Sequence, residues 1–85
     1  PVPNPFNPRT ELSYVIAKAG RARLVIYSVD GRRVRTLVDE TLEVGRHSVV
    51  WNGTDDAGRG VASGVYLARL LADGESSTQR MVLLQ

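Results

Sequence analysis

The sequence predicts an all-β protein, an antiparallel β-sandwich of about six to seven strands. Apolar and polar residues alternate at period two through most of the chain, and the longest uninterrupted apolar runs are four residues. Two Asp-Gly pairs, Asp30-Gly31 and Asp73-Gly74, are typical of hairpin turns. Eighty-five residues suffice for one thin core. We therefore predict one sandwich domain over residues 10–85, preceded by a proline-rich extended lead-in or linker over residues 1–9.

The lead-in contains all four prolines of the chain, within its first eight residues. Proline removes backbone donors and biases the preceding residue toward extended conformations. This composition predicts an extended segment or an edge strand, with Phe6 as its anchor into the core.

The first half of the domain predicts three strands. Leu12, Tyr14 and Ile16 alternate with polar neighbours, which indicates a half-buried strand. After a turn at Gly20, the dense apolar run 24–27 predicts a strand that is buried on much of both faces. Asp30-Gly31 would then supply the positive-φ positions of a tight turn into a partner strand over residues 33–38.

The continuation of this partner strand is ambiguous. Val34, Leu37, Val38, Thr41 and Leu42 follow the spacing of a helix as well as that of an irregular strand. The preceding turn and the β-branched residues favour a strand, with Val34 and Val38 pointing inward. A helical turn over residues 39–44 remains an alternative.

The second half predicts three more strands. His47, Val49 and Trp51 alternate, and we expect Trp51 to anchor the core with its indole N–H bound to a loop carbonyl. Residues 52–60 hold three glycines and two aspartates and must form a loop. Strands over residues 65–71 and about 77–84 follow, joined by Asp73-Gly74. The expected core residues are Leu12, Tyr14, Ile16, Leu24, Ile26, Val49, Trp51, Tyr66, Leu70 and Val82.

Composition excludes several classes of function. The absence of cysteine excludes disulfides, thiolate metal sites and a cysteine nucleophile. No apolar run is long enough for a membrane helix, so we expect no membrane insertion. The net charge is only +2, and we interpret the cluster Arg32, Arg33 and Arg35 as a solvated strand face that does not bind nucleic acid.

No catalytic constellation is visible, and we expect neither enzymatic activity nor a cofactor. His47 is the single histidine, interpreted as an exposed strand position, and no Gly-x-Ser-x-Gly motif occurs. The loop 52–60 has the oxygen density of a calcium site. It fails the EF-hand pattern, however, because Ala57 stands at the sixth position. We expect its Asp and Asn side chains to bond to nearby backbone amides, with a different kind of calcium site at Asp55 and Asp56 as the alternative.

Four blocks of sequence resemble a known family. They are residues 4–8 (Asn-Pro-Phe-Asn-Pro), 27–38, 45–67 and 80–84. Together they resemble the C-terminal sorting domain of the type IX secretion system, and equally the Ig-like domain of the flagellar hook-capping protein. The resemblance covers nearly the whole chain and implies an Ig-like form of the sandwich.

The sorting-domain resemblance implies a non-catalytic address that directs a secreted passenger through the outer membrane to the cell surface. Its partners would be the outer-membrane secretion machinery and a sortase. The residues that match the family motif are Asn4, Pro5, Phe6, Asn7, Pro8, Trp51, Gly58, Gly64, Val65 and Tyr66. The partner-recognition residues that it implies are those of the terminal strand, Arg80, Met81, Val82, Leu83 and Leu84. One departure is Gln85, where the family commonly ends on Lys or Arg.

The alternative function is a self-assembling subunit of an extracellular filament or surface structure. Its partners would be copies of itself, because an extended proline-led segment can add as a strand to the edge of a neighbour's sheet.

Overall fold

The computed structural model describes residues 9–85, which form two antiparallel sheets packed face to face. The strands are β1 (Thr10–Ile16), β2 (Gly20–Ser28), β3 (Arg33–Leu42), β4 (Gly45–Trp51), β5 (Gly64–Ala72) and β6 (Glu75–Leu83). One sheet has the order β1-β4 and the other has the order β3-β2-β5-β6. The predicted all-β sandwich is confirmed. The lead-in, including the expected anchor Phe6, lies outside the described residues except for Arg9, and the domain division stays a prediction.

The core lies between the two sheets and is centred on β2. Its buried residues include Leu12, Leu24, Ile26, Val38, Trp51, Tyr66, Ala68, Met81 and Leu83, with Tyr14, Val49 and Leu70 packed against them and half-buried. Val25 alternates with the core residues Leu24 and Ile26 and therefore lies on the other face of β2, where it is also fully buried. The expectation of a strand buried on both faces is therefore confirmed.

The phase of the last strand differs from the prediction. Val82 is 54% exposed, whereas Met81 and Leu83 are buried. Met81 lies opposite the buried Tyr66, so both side chains point into the core and Val82 points away from it. The expectation that Val82 belongs to the core is wrong, because the unbroken apolar run at the end of the chain shows no alternation from which to read the face.

Strand β3 owes its helical spacing to two irregularities in its pairing with β2. Leu24 lies opposite Val38 and Val25 opposite Thr36, so that Leu37 has no direct partner in this ladder. A second shift, between Ile26 and Tyr27, leaves Val34 without a direct partner on β2. Each bulge inserts one residue and resets the alternation, which brings both side chains against the core. The alternative of a helical turn over residues 39–44 is wrong, since β3 continues to Leu42.

The two Asp-Gly pairs form different turns. Asp73 and Gly74 both have positive φ, 52° and 73°, and join β5 to β6 as a two-residue hairpin loop. At the other pair only Gly31 has positive φ, 86°, so the expectation of a left-handed Asp30 is wrong. Here the backbone N–H of Ser28 donates to the Arg32 carbonyl at 3.0 Å, which leaves a three-residue loop with glycine at its last position.

No segment in residues 9–85 is a helix long and apolar enough to cross a membrane.

Candidate interaction surfaces

Trp51 supports the loop that follows it. The side chain is fully buried, and its indole N–H donates to the Thr54 carbonyl at 2.9 Å. Its ring meets the edge of Tyr66 at a centroid distance of 5.2 Å, and the Tyr66 hydroxyl donates to the Ala62 carbonyl at 2.6 Å. The expected core anchor with a bond to a loop carbonyl is confirmed. Trp51 thus holds the loop 52–60 through Thr54, and Tyr66 holds the segment that follows it through Ala62.

Asp55 closes this loop upon itself. Its carboxylate accepts hydrogen bonds from the backbone N–H groups of Ala57 at 3.0 Å and Arg59 at 2.9 Å. Gly58, with φ of 83°, provides the left-handed position that the tight turn between them requires. The bonds to a charged carboxylate, first of all that from Arg59, lower the pKa of Asp55 from its ordinary value of 3.8. The expected side-chain bonds to backbone amides are confirmed for Asp55, whereas the Asn52 side chain accepts from the Thr54 hydroxyl.

Asp56, unlike Asp55, bonds to the edge of the larger sheet at β3. Its carboxylate accepts from the backbone N–H of Thr36 at 2.9 Å, and its own N–H donates to the Val34 carbonyl at 3.0 Å. The loop therefore pairs with β3 where the bulges disturb it. Within the described part of the chain, no cluster of three or more His, Cys, Asp or Glu side chains could hold a metal ion.

The arginine cluster is divided by the fold. Arg32 and Arg33 are exposed, as expected of a solvated strand face. Arg35 is half-buried and donates to the Thr54 hydroxyl at 2.8 Å and the Asp55 carbonyl at 2.9 Å. The interpretation as a free solvated face is wrong for Arg35, which fastens the loop to β3.

His47 is half-buried and not exposed as expected, because it stacks on Tyr14 of the paired strand. Their rings lie 5.7 Å apart at 20°, and the Nε2–H of His47 donates to the Glu43 carbonyl at 2.8 Å. Burial, together with the carboxylate of Glu40, raises the pKa of the Tyr14 hydroxyl. The histidine is thus engaged in packing between β1 and β4.

The expected partner-recognition residues separate into two sets. Met81 and Leu83 are buried in the core, so they are not accessible to a partner. Arg80, Val82 and Leu84 are exposed, and the first two lie on the outer face of β6.

These outer positions belong to a wider apolar surface, which we call the outer patch. Val82 lies opposite the half-buried Val65, and Tyr27 lies opposite Leu67 on the neighbouring strands. Val29, which is 70% exposed, follows at the end of β2. The outer patch comprises Tyr27, Val29, Val65, Leu67 and Val82. Sequence reasoning missed Tyr27, Val29 and Leu67 as surface residues, although the apolar runs 24–27 and 65–68 indicate apolar side chains on both faces of the sheet.

The lowered pKa of Asp55 leads to a prediction for acid stability. A carboxylate with a lowered folded-state pKa stabilises the fold above its unfolded pKa, and this contribution is lost as the pH falls through the folded value. We expect the free energy of unfolding to fall less steeply in Asp55→Asn than in the wild type between about pH 4 and pH 2. Urea denaturation at several pH values measures this, with the exposed Asp73→Asn as control. Parallel pH profiles for Asp55→Asn and the wild type would contradict it.

Comparison with known proteins shows that the sequence and the fold are similar to those of FlgD proteins. Residues 9–76 match the sequence model of the FlgD Ig-like domain. The fold is similar to FlgD from P. aeruginosa, with a TM-score of 0.65 and 20% identity over 89% of this chain and 59% of that one. It is also similar to FlgD from Xanthomonas campestris, a structure described in terms of the hook capping that is essential for flagellar assembly. There the TM-score is 0.64, with 22% identity over 92% of this chain and 59% of that one. No curated protein matches the chain. The chain thus spans 59% of the length of either FlgD structure.

Proposed function

Because the chain belongs to the family of FlgD Ig-like domains, we propose that it is a non-catalytic structural module of a flagellar hook-capping protein. It acts by contact with neighbouring subunits, on the extracellular side of the flagellum. Neither a cofactor nor a reaction is part of this function.

The sorting function expected from the type IX resemblance is wrong. The family model that matches most of the chain is that of the FlgD Ig-like domain, and the similar solved structures are FlgD proteins. The expectation that the outer-membrane machinery and a sortase are its partners is therefore not supported either. The alternative, a subunit of an extracellular assembly, is closer to the family.

The outer patch is the observation that supports an assembly role. Side chains on the solvent face of an antiparallel sheet are ordinarily polar. Here apolar side chains from β2, β5 and β6 adjoin one another on that face, and Val82 among them is 54% exposed. Apolar groups that adjoin on an exposed face commonly mark a protein interface. We infer that the outer patch contacts adjacent subunits, either copies of the same protein or other components of the hook.

A domain replacement tests this function. In a flagellated bacterium, the Ig-like domain of its own FlgD is replaced by residues 9–85 of this chain. We expect hooks on isolated flagella in electron micrographs. An unrelated Ig-like sandwich of the same size serves as control, and immunoblots establish that both chimeras are made and exported equally. Absence of hooks with the present domain would contradict the proposal.

A further inference from the structure

The two sheets differ in width, and the difference leaves a groove beside β1. The smaller sheet has two strands over a larger sheet of four. The groove encloses about 220 Å³ between residues 12–15 of β1 and residues 77–79 of β6, with Leu70 in its floor. A second stretch of about 170 Å³ continues it toward Ala17 and Glu75, and the two share Val15, Leu70 and Ser77.

Strand β6 is covered by the smaller sheet over only part of its length. Met81 and Leu83 point inward and are buried. Ser77 and Gln79 share their face by alternation, yet both are exposed and polar. One further strand beside β1, at the usual spacing of about 4.8 Å, would cover this part of β6.

The edge of β1 that lines the groove offers backbone groups for such a strand. Within residues 9–85, β1 pairs only with β4, so no described residue pairs with the N–H and C=O groups that alternate residues of β1 turn toward the groove. The β3 edge differs, because Asp56 caps it at Val34 and Thr36.

The proline-led segment has the sequence of a strand with only one usable edge. Prolines stand at positions 1, 3 and 5, and each is followed by a residue that has an N–H group, namely Val2, Asn4 and Phe6. In a β-strand, alternate residues direct their N–H groups to the same side. The donors of residues 2, 4 and 6 would therefore share one edge, while the opposite edge would have no donor at positions 1, 3 and 5. Such a strand can pair with the edge of a sheet through its donor edge. It then becomes the last strand of that sheet, because its other edge has no donors at the proline positions.

Turn chemistry disfavours a short hairpin between this segment and its own β1. A three-residue loop into Thr10 would consist of Asn7, Pro8 and Arg9. In a three-residue loop Pro8 would occupy the second turn position, where proline is disfavoured, and Arg9 would need the left-handed conformation that Gly31 adopts in the loop before β3. A two-residue loop would require positive φ at Pro8, which its ring forbids.

We propose that the groove binds residues 2–6 of a second copy of this chain, as a third strand of the smaller sheet beside β1. Val2 and Phe6 then face Tyr14 and Leu70, and the prolines line the outer edge. Donor segment and groove are different parts of the chain, so the contact is head-to-tail and copies associate in series. This inference rests on the proposed assembly function and identifies one partner within it.

Sedimentation velocity on the full chain tests the contact, from about 10 µM to 1 mM, where a short strand contact would be detected. We expect concentration-dependent association. Asn4→Pro removes the central donor of the pairing edge and should weaken association about tenfold, whereas Pro3→Ala alters only the outer edge and should not. Ser77→Trp fills the groove and should also weaken association, with the exposed Ser48→Trp on β4 as control.

Cysteine linking separates exchange between chains from self-pairing, since the chain has no cysteine of its own. A mixture of Phe6→Cys and Ser77→Cys chains should give a disulfide-linked heterodimer under mild oxidation. A monomer at 1 mM, equal effects of Asn4→Pro and Pro3→Ala, or linking only within a doubly substituted chain would overturn the inference. The chimera that tests the proposed function lacks residues 1–8, so either proposal can fail without the other.

Discussion

Replacement of Trp51 by alanine is expected to lower the free energy of unfolding by about 3–5 kcal/mol. The side chain is fully buried, and the surrounding strands cannot close the cavity that its loss leaves. The substitution also removes the edge contact to Tyr66 and leaves the Thr54 carbonyl without its indole donor. Because small domains unfold with about 5–15 kcal/mol, this one change should leave the variant marginally stable.

Urea denaturation followed by far-ultraviolet circular dichroism measures this loss. Its signal does not depend on tryptophan fluorescence, which the variant lacks. Trp51→Phe keeps an aromatic ring beside Tyr66 but removes the indole N–H and part of the ring volume, so we expect a smaller loss than for Trp51→Ala. Val50→Ala is the matched control on the same strand, because Val50 points outward and should change stability by under about 0.5 kcal/mol. A loss below about 1 kcal/mol for Trp51→Ala would refute the central position of this residue.

Local signals were sufficient to predict those elements that depend on local physics. Alternation before Trp51 predicted both its burial and its bond to the loop, and glycine with aspartate predicted the turn at Asp73-Gly74. That turn also determines the phase of β6. A two-residue loop puts Ala72 opposite Glu75 and hence Tyr66 opposite Met81. The same register places Val82 opposite Val65, on the face of the sheet that points away from the core.

Features that depend on contacts distant in sequence could not be predicted from local patterns. The bulges at Val34 and Leu37 are stabilised by Asp56, about twenty residues later, which pairs with the disturbed edge. The local sequence likewise predicts that Arg35 is a surface cation. Its half-buried position depends on the loop that folds back over β3 and accepts its hydrogen bonds. The sequence predicts that His47 is exposed, because the alternation along β4 does not reveal that Tyr14 on β1 stacks against it.

The candidate surface was predicted in part. The family resemblance implies recognition by Arg80 and Val82, and both are exposed. It implies Met81 and Leu83 equally, because a matched block of sequence does not distinguish the two faces of a strand, and both are buried. Tyr27 and Leu67 were missed because apolar residues in central strands are ordinarily assigned to the core. Only the sheet order shows that β2, β5 and β6 bring these side chains together on the outer face.

Val82→Asp in the chimeric hook-capping protein is expected to prevent hook formation while the domain remains folded. Val82 lies opposite Val65 within the outer patch, and its side chain is 54% exposed before assembly. A carboxylate at this position remains hydrated in the free domain and therefore costs little folding energy. Once a neighbouring subunit covers the outer patch, the charge is buried without a partner, which costs several kcal/mol and weakens the contact about a hundredfold or more.

Val44→Asp provides the matched control for this prediction. Val44 is 63% exposed in the connection between β3 and β4, so the same chemical change falls outside the outer patch. Thermal unfolding followed by circular dichroism should show both variants folded, and electron microscopy of isolated flagella should show hooks with Val44→Asp alone. Normal hooks with Val82→Asp, or equal defects in both variants, would mean that the outer face of the larger sheet is not the surface through which this domain assembles.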